Sequence, residues 1–192
     1  MRLLLGTLFA LAVAAFVGLG GTYLALTRGA AFGALTIGAW TAWPKMGTSD
    51  ADPYARASIA RIGFLPTAVG DGVAFAAQSD DDGKLLDGRC DVVVAGITPA
   101  ARFWTVTLYN LEGELAANSV GRYGFSSQEI VRQADGSFSI VVAPRAQPGN
   151  WLPTGGIERY TLVLRLYDTA VGVSTRAGRE VPMPSITTRS CP

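Results

Sequence analysis

Residues 160–168 read YTLVLRLYD, and residues 102–110 read RFWTVTLYN. In the first stretch Leu162, Leu164 and Leu166 fall on one face, with Val163, Arg165 and Tyr167 opposite. In the second, Trp104, Val106 and Leu108 oppose Thr105, Thr107 and Tyr109. A period of two kept over this length marks a β-strand with one face in a core. SFSIVVAP (137–144) repeats the pattern through Phe138, Ile140 and Val142, while VAFAA (73–77) and DVVVAGI (91–97) are shorter strand-forming runs. Turn pairs separate these segments: Asp82-Gly83, Asp87-Gly88, Glu112-Gly113, Asp135-Gly136 and Pro148-Gly149-Asn150. The expected fold is mainly β, a single sandwich or jelly-roll-like domain with one or two short helices, plus one N-terminal transmembrane helix.

The clearest short helix starts at Asp52. Its carboxylate suits an N-cap, Pro53 suits the first helical position, PYARASIARI follows, and Gly63 stands where a C-terminal glycine is expected. Ser126-Ser127-Gln128-Glu129 has capping-box spacing and predicts one or two turns. Upstream, AAFGALTIGAWTAW (30–43) is apolar but too short to cross a bilayer, and Pro44 ends it. Leu35, Ile37 and Ala39 alternate with Thr36 and Gly38, as a strand leaving a membrane would. Trp40 and Trp43 suit the headgroup level or the start of the domain core, and the core is the preferred reading.

From Leu3 to Leu26 there is no charged residue. As a helix this run is roughly 36 Å long, against a hydrocarbon core of about 30 Å. The competing reading is a cleaved signal peptide, whose apolar region is usually about 7–15 residues and ends in a small-x-small site. This run is longer and is followed by YLALTR (23–28), which offers no good site. The expected organisation is therefore an anchor over 1–28 and a periplasmic mostly-β domain over 29–192, single-pass in a bacterial inner membrane. The lipid bilayer is the expected partner of the helix. Ala10, Ala14, Gly18 and Thr22 recur every four residues, a face on which a second membrane protein can pack, although a segment rich in Ala and Gly produces such spacing by composition alone.

Cys90 and Cys191 are the two cysteines, not in a C-x-x-C pair. In an exported domain they predict a disulfide; the alternative is two free thiols. The bridge would close a loop of about 100 residues and contribute on the order of 4 kcal/mol. There is no histidine, which excludes Ser-His-Asp and Cys-His catalysis, His-ligated zinc and His-ligated haem. A formal charge of +1 supplies no electrostatic footprint for nucleic acid. No cofactor, no metal and no catalytic residue is expected, and any small-molecule ligand is unspecified.

Candidate ligand-contacting residues fall in three places. Asp50, Asp52, Tyr54 and Arg56 crowd one helix start, as an acid/base pair with an Arg, or as a cap plus an ion pair to Arg56, the favoured reading. Arg165 lies inside an apolar strand, solvated or paired, or as an anion-binding Arg together with Arg102 and Arg122. Asn150 and Trp151 offer an amide and an aromatic platform, or plug one end of the sandwich, and Trp104 completes the set. Asp80-Asp81-Asp82-Gly83 imitates a calcium loop, but counted from Gln78 the twelfth position is Arg89, so an acidic turn is expected.

These residues also carry a resemblance. PAARFWTVTLY (99–109), Asn118 with Arg122-Tyr123, DGSF (135–138), GNWLP (149–153) and LVLRLY (162–167), with DPYARA (52–57) upstream, resemble the bacterial family called domain of unknown function 1214 over about residues 43–170. The resemblance implies a mostly-β, jelly-roll-like domain and no established reaction or catalytic residue. It also implies longer relatives with an N-terminal companion domain, numbered 1254, in whose place this chain has an apolar segment. A binding or interaction module of the envelope is the first expectation. A His-independent hydrolase or lyase using Asp and Arg is the second, and an accessory subunit of a larger membrane complex the third.

Overall fold

Period-two alternation becomes strand registry. The structure, a computed structural model, describes residues 2–27, 33–62, 70–171 and 181–191. Counted along the chain, the strands are β1 (Leu35–Ile37), β2 (Trp40–Ala42), β3 (Gly72–Ala77), β4 (Asp91–Gly96) and β5 (Phe103–Tyr109), then β6 (Gly124–Ser126), β7 (Phe138–Ala143), β8 (Asn150–Pro153), β9 (Thr161–Tyr167) and β10 (Ser185–Ser190). Two helices, α1 (Arg2–Thr27) and α2 (Pro53–Ile62), complete the described elements and are in contact. Gly63 and Arg28 lie outside the described residues, as do the side chains of Ile59, Arg61 and Ile62.

Two sheets form. One has six strands in the order β1-β2-β3-β9-β5-β6, and the other four in the order β10-β4-β7-β8. All pairs are antiparallel except β7 with β8. In the centre of the larger sheet, β9 pairs with β5 along its whole length, with Leu162, Leu164 and Leu166 opposite Leu108, Val106 and Trp104. Those six, with Phe75, Trp40 and Phe125, face Val92, Val94, Ile140, Val142 and Ile186 of the smaller sheet across one apolar core. Each fully buried Leu or Phe contributes about 1.5–3 kcal/mol.

The mainly-β, two-layer fold expected from the alternating runs is therefore present. Details differ. Leu35 to Ala39 do not make one strand: Gly38 and Ala39 form a two-residue connection, and β1 folds back on β2 with Ile37 opposite Trp40. Gly38 sits at φ +56, and an added Cβ would approach the Asp81 carboxylate, so the turn suits glycine. Trp40 is fully buried and donates from Nε1 to the Pro184 carbonyl at 2.7 Å. Trp43 packs on a satellite cluster of Met46, Ala51 and Ala55. The Ser126–Glu129 signal yields a single turn, in which the Ser126 N–H donates to Glu129 Oε1 at 2.7 Å.

Cys90 and Cys191 form a disulfide. It ties the end of β10 to the turn before β4. Two carboxylates reinforce that tie. Asp80 accepts from the Thr188 hydroxyl at 2.6 Å and from the N–H groups of Lys84 and Asp82. Asp81 accepts from Ala39 N–H and Ile186 N–H, linking the β1–β2 turn to β10. The acidic run is thus a turn whose carboxylates satisfy backbone donors, as expected. α1 is long and apolar enough to cross a bilayer, and none of its most apolar window is buried against the rest of the chain. A signal sequence meets the same description.

Candidate functional site

The candidate residues do not converge. Asp52 Oδ1 caps α2, accepting from Tyr54 N–H at 2.9 Å and Ala55 N–H at 3.2 Å. Arg56 does not pair with Asp50 or Asp52. Its Nη2 donates to the carbonyls of Ser49 and Ala51, both at 3.2 Å, so the expected ion pair is replaced by a clamp on the loop before the helix. Carbonyls left without partners compete effectively for a guanidinium already beside them. Ser49, Asp50, Asp52, Pro53, Arg56 and Ala57 line an open groove of about 680 Å³ with Ala51 and Ala60.

Four other candidates lie on or beside β5, β6 and β8. Asn150 is buried: its amide donates to the Val131 and Ser139 carbonyls, and its Oδ1 accepts from Val131 N–H. Arg122 donates to the Trp151 carbonyl at 3.0 Å and lies over the Phe125 ring. Trp151 is half-buried and donates from its indole to the Ala143 carbonyl. Trp104, 3% exposed, stacks on Phe138 within the core and is covered by Arg132. The polar atoms of Asn150, Arg122 and Trp151 are thus engaged with backbone groups.

Arg165 stands apart from both groups. It projects from β9 on the outer face of the six-stranded sheet, opposite Thr105 of β5 and Ala74 of β3. Its Nη1 donates to the Tyr109 hydroxyl at 3.1 Å, with the guanidinium 5.3 Å from the ring centre. Tyr109 lies four residues beyond Thr105, so the two side chains meet over the intervening Val163–Thr107 pair. Val163 is accordingly only 6% exposed although it points away from the core. At the other end of the same face Phe103 and Tyr167 are cross-strand partners, with rings 5.7 Å apart. Small side chains lie between and beside these groups: Ala74 and Ala76 on β3, Thr105 and Thr107 on β5, and Ser126 on β6. Arg102, exposed at the Tyr167 end, donates its backbone N–H to the Tyr167 carbonyl. Sequence reasoning singled out Arg165 but not Tyr109, Phe103 or Tyr167. Period two placed those aromatics on the same outer face, and only the strand order made them neighbours.

Electrostatics follow hydrogen bonding. Burial pushes the Asp80 carboxyl up, but bonds from the Thr188 hydroxyl and the Lys84 and Asp82 N–H groups outweigh it and hold the pKa below the usual carboxylate value. The Arg89 guanidinium, bonded to Asp87, lowers that carboxyl strongly. The Ser137 hydroxyl lowers Asp135.

The signature of the family described as "Protein of unknown function (DUF1214)" matches residues 71–171. The chain belongs to this family. The DUF1214 match spans β3 to the end of β9 and contains the Arg165 face, whereas the DPYARA resemblance at α2 falls outside it. No curated protein matches the chain. Among solved structures it is similar to the VPA0106 protein from Vibrio parahaemolyticus, with TM-score 0.57 and 23% identity over 73% of this chain and 36% of that one. It also resembles an uncharacterised protein from Burkholderia cenocepacia, with TM-score 0.49 and 19% identity over 80% of this chain and 34% of that one. This DUF1214 chain thus covers about a third of the length of both structures, and the first of them shares its fold.

Proposed function

We propose that this protein is a binding module tethered to the bacterial inner membrane by α1, with its β domain in the periplasm and no catalytic role. The observation that carries the reading is the use made of the polar candidates. Asp52 caps a helix, and Arg56, Arg122 and Asn150 hold backbone groups. The carboxyls with shifted pKa, Asp80, Asp87 and Asp135, all move down, whereas a general acid at neutral pH needs an upward shift. An uncovered apolar helix supports tethering, and the Cys90–Cys191 bridge supports an oxidising compartment. Arg165, with half-buried aromatic and hydroxyl neighbours, is the candidate contact surface.

Membrane fractionation tests the tether. The full chain should stay in the pellet through alkaline carbonate, with its N-terminus intact. A mature form starting beyond Arg28, or thiols that react with maleimide in unreduced cells, would overturn the location. Affinity capture from mild detergent separates a ligand-binding module from an accessory subunit, since a stoichiometric membrane partner would favour the subunit.

A further inference from the structure

We propose that the outer face of the six-stranded sheet binds an acidic oligosaccharide, with Arg165 pairing to its carboxylate and the Phe103–Tyr167 and Tyr109 rings stacking on its sugar faces. The proposal rests on the binding-module reading and names the ligand chemistry of that module.

Charge selects the ligand class first. On the outward positions of β3, β9, β5 and β6, Arg165 is the one ionised side chain; its neighbours are Gly, Ala, Thr, Ser, Val, Phe and Tyr. Among the described residues the one ion pair is Arg89–Asp87, so no carboxylate compensates Arg165 there. A guanidinium presents five N–H donors, and a single bond, to Tyr109, is formed here. The remaining donors on a half-buried cation suit a planar anion that accepts two parallel bonds, as a carboxylate does.

The surroundings narrow the occupant. Nucleic acid needs several cations along its track, and this face has one. An extended peptide adding a strand would use a sheet edge, whereas Arg165 lies on the strand flanked by β3 and β5 in mid-sheet. A tight protein interface usually centres on large apolar anchors, but small side chains occupy the middle of this face. Thr105, Thr107 and Ser126 supply short hydroxyls that both donate and accept, matching sugar hydroxyls. The rings of Phe103 and Tyr109 are separated by six residues of β5, about 20 Å along the strand. A saccharide of several rings spans that length, with flat apolar sugar faces set against aromatic rings at both ends.

Isothermal titration of the full chain in detergent, oxidised at Cys90–Cys191, tests this with tetragalacturonate, using maltotetraose and inorganic phosphate as comparators. Tetragalacturonate should bind, maltotetraose should bind at least about tenfold more weakly, and phosphate alone should not displace the tetramer. Arg165→Gln should weaken binding by about tenfold or more, and Arg165→Lys by less, because a point charge cannot form the bidentate pair. Thr107→Tyr, which fills the face and keeps the charge, should also abolish binding and serves if Arg165→Gln folds poorly. No heat up to several millimolar ligand, equal binding of maltotetraose, displacement by phosphate, or unchanged binding in both Arg165→Gln and Thr107→Tyr would each overturn the assignment. The membrane and thiol experiments above do not depend on the ligand, so failure of the saccharide would leave the tethered module standing.

Discussion

At the scale of single residues, two buried polar side chains behave in opposite ways. Asn150 satisfies Val131 at both its N–H and its carbonyl, and Ser139 at its carbonyl, from a position 7% exposed. Asn150→Ala removes all three bonds; Val131 is 68% exposed and can turn to water, whereas a polar group left buried without a partner costs about 1–3 kcal/mol. The urea midpoint should fall by an amount equivalent to about 1–3 kcal/mol. Tyr160 is the reverse case. It is 1% exposed, its hydroxyl has no partner among the described residues, and burial pushes its pKa up. Tyr160→Phe removes a desolvated hydroxyl and keeps the ring, so stability should hold or rise by about 1 kcal/mol in the same assay. A clear loss would mean that the hydroxyl has a partner. Gly88 illustrates a third constraint: a Cβ there would collide with the Ile157 carbonyl, where the turn before β4 meets the loop before β9.

At the scale of elements, α2 depends on its cap, and β10 depends on distant groups. Asp52→Ala removes two bonds from the first turn of α2 and should cost about 1 kcal/mol. Because α2 packs on a satellite cluster and not on the main core, the loss should appear as faster amide exchange in residues 54–57, with little change in the global melting temperature. β10 is held differently. Ile186 alone among its residues is fully buried, and the strand is kept in place by the β4 ladder, by Asp80 and Asp81, and by the disulfide.

At the scale of the whole molecule, the bridge and the carboxylates set the response to reductant and acid. Cys90→Ser with Cys191→Ser frees a loop of 101 residues and should cost about 3–5 kcal/mol, measured as a drop in the urea midpoint that reductant reproduces in the wild-type protein. Asp80, Asp87 and Asp135 each titrate lower in the folded state than the unfolded value of about 3.9. Their contribution is complete above that value and is lost as pH falls through the lower native ones. The melting temperature should therefore be nearly flat from pH 7 to 5 and drop below about pH 4. Asp80→Asn should flatten part of that acid slope; an unchanged slope would move its origin to other groups.

The chain by itself determined whatever depends on neighbours a few residues away. Alternation in 102–110 and 160–168 specified strands and their inward faces; Asp52-Pro53 specified a helix start; residues 3–26 specified an apolar helix; and the lack of histidine removed whole classes of chemistry. Tertiary structure decided what depends on partners far along the chain. β10 was illegible because SITTRS buries one residue and its partners lie about 100 positions upstream. NWLP reads as a plug and is a strand because β7 offers a parallel edge. Arg56 reads as an acid's partner, yet two carbonyls reach it first. Arg165 stood out within its apolar strand, but its aromatic neighbour emerged only when β5 placed Tyr109 within its reach. Side-chain period is written locally, whereas strand order comes from closing distant segments around one core, and no short window of sequence carries that information.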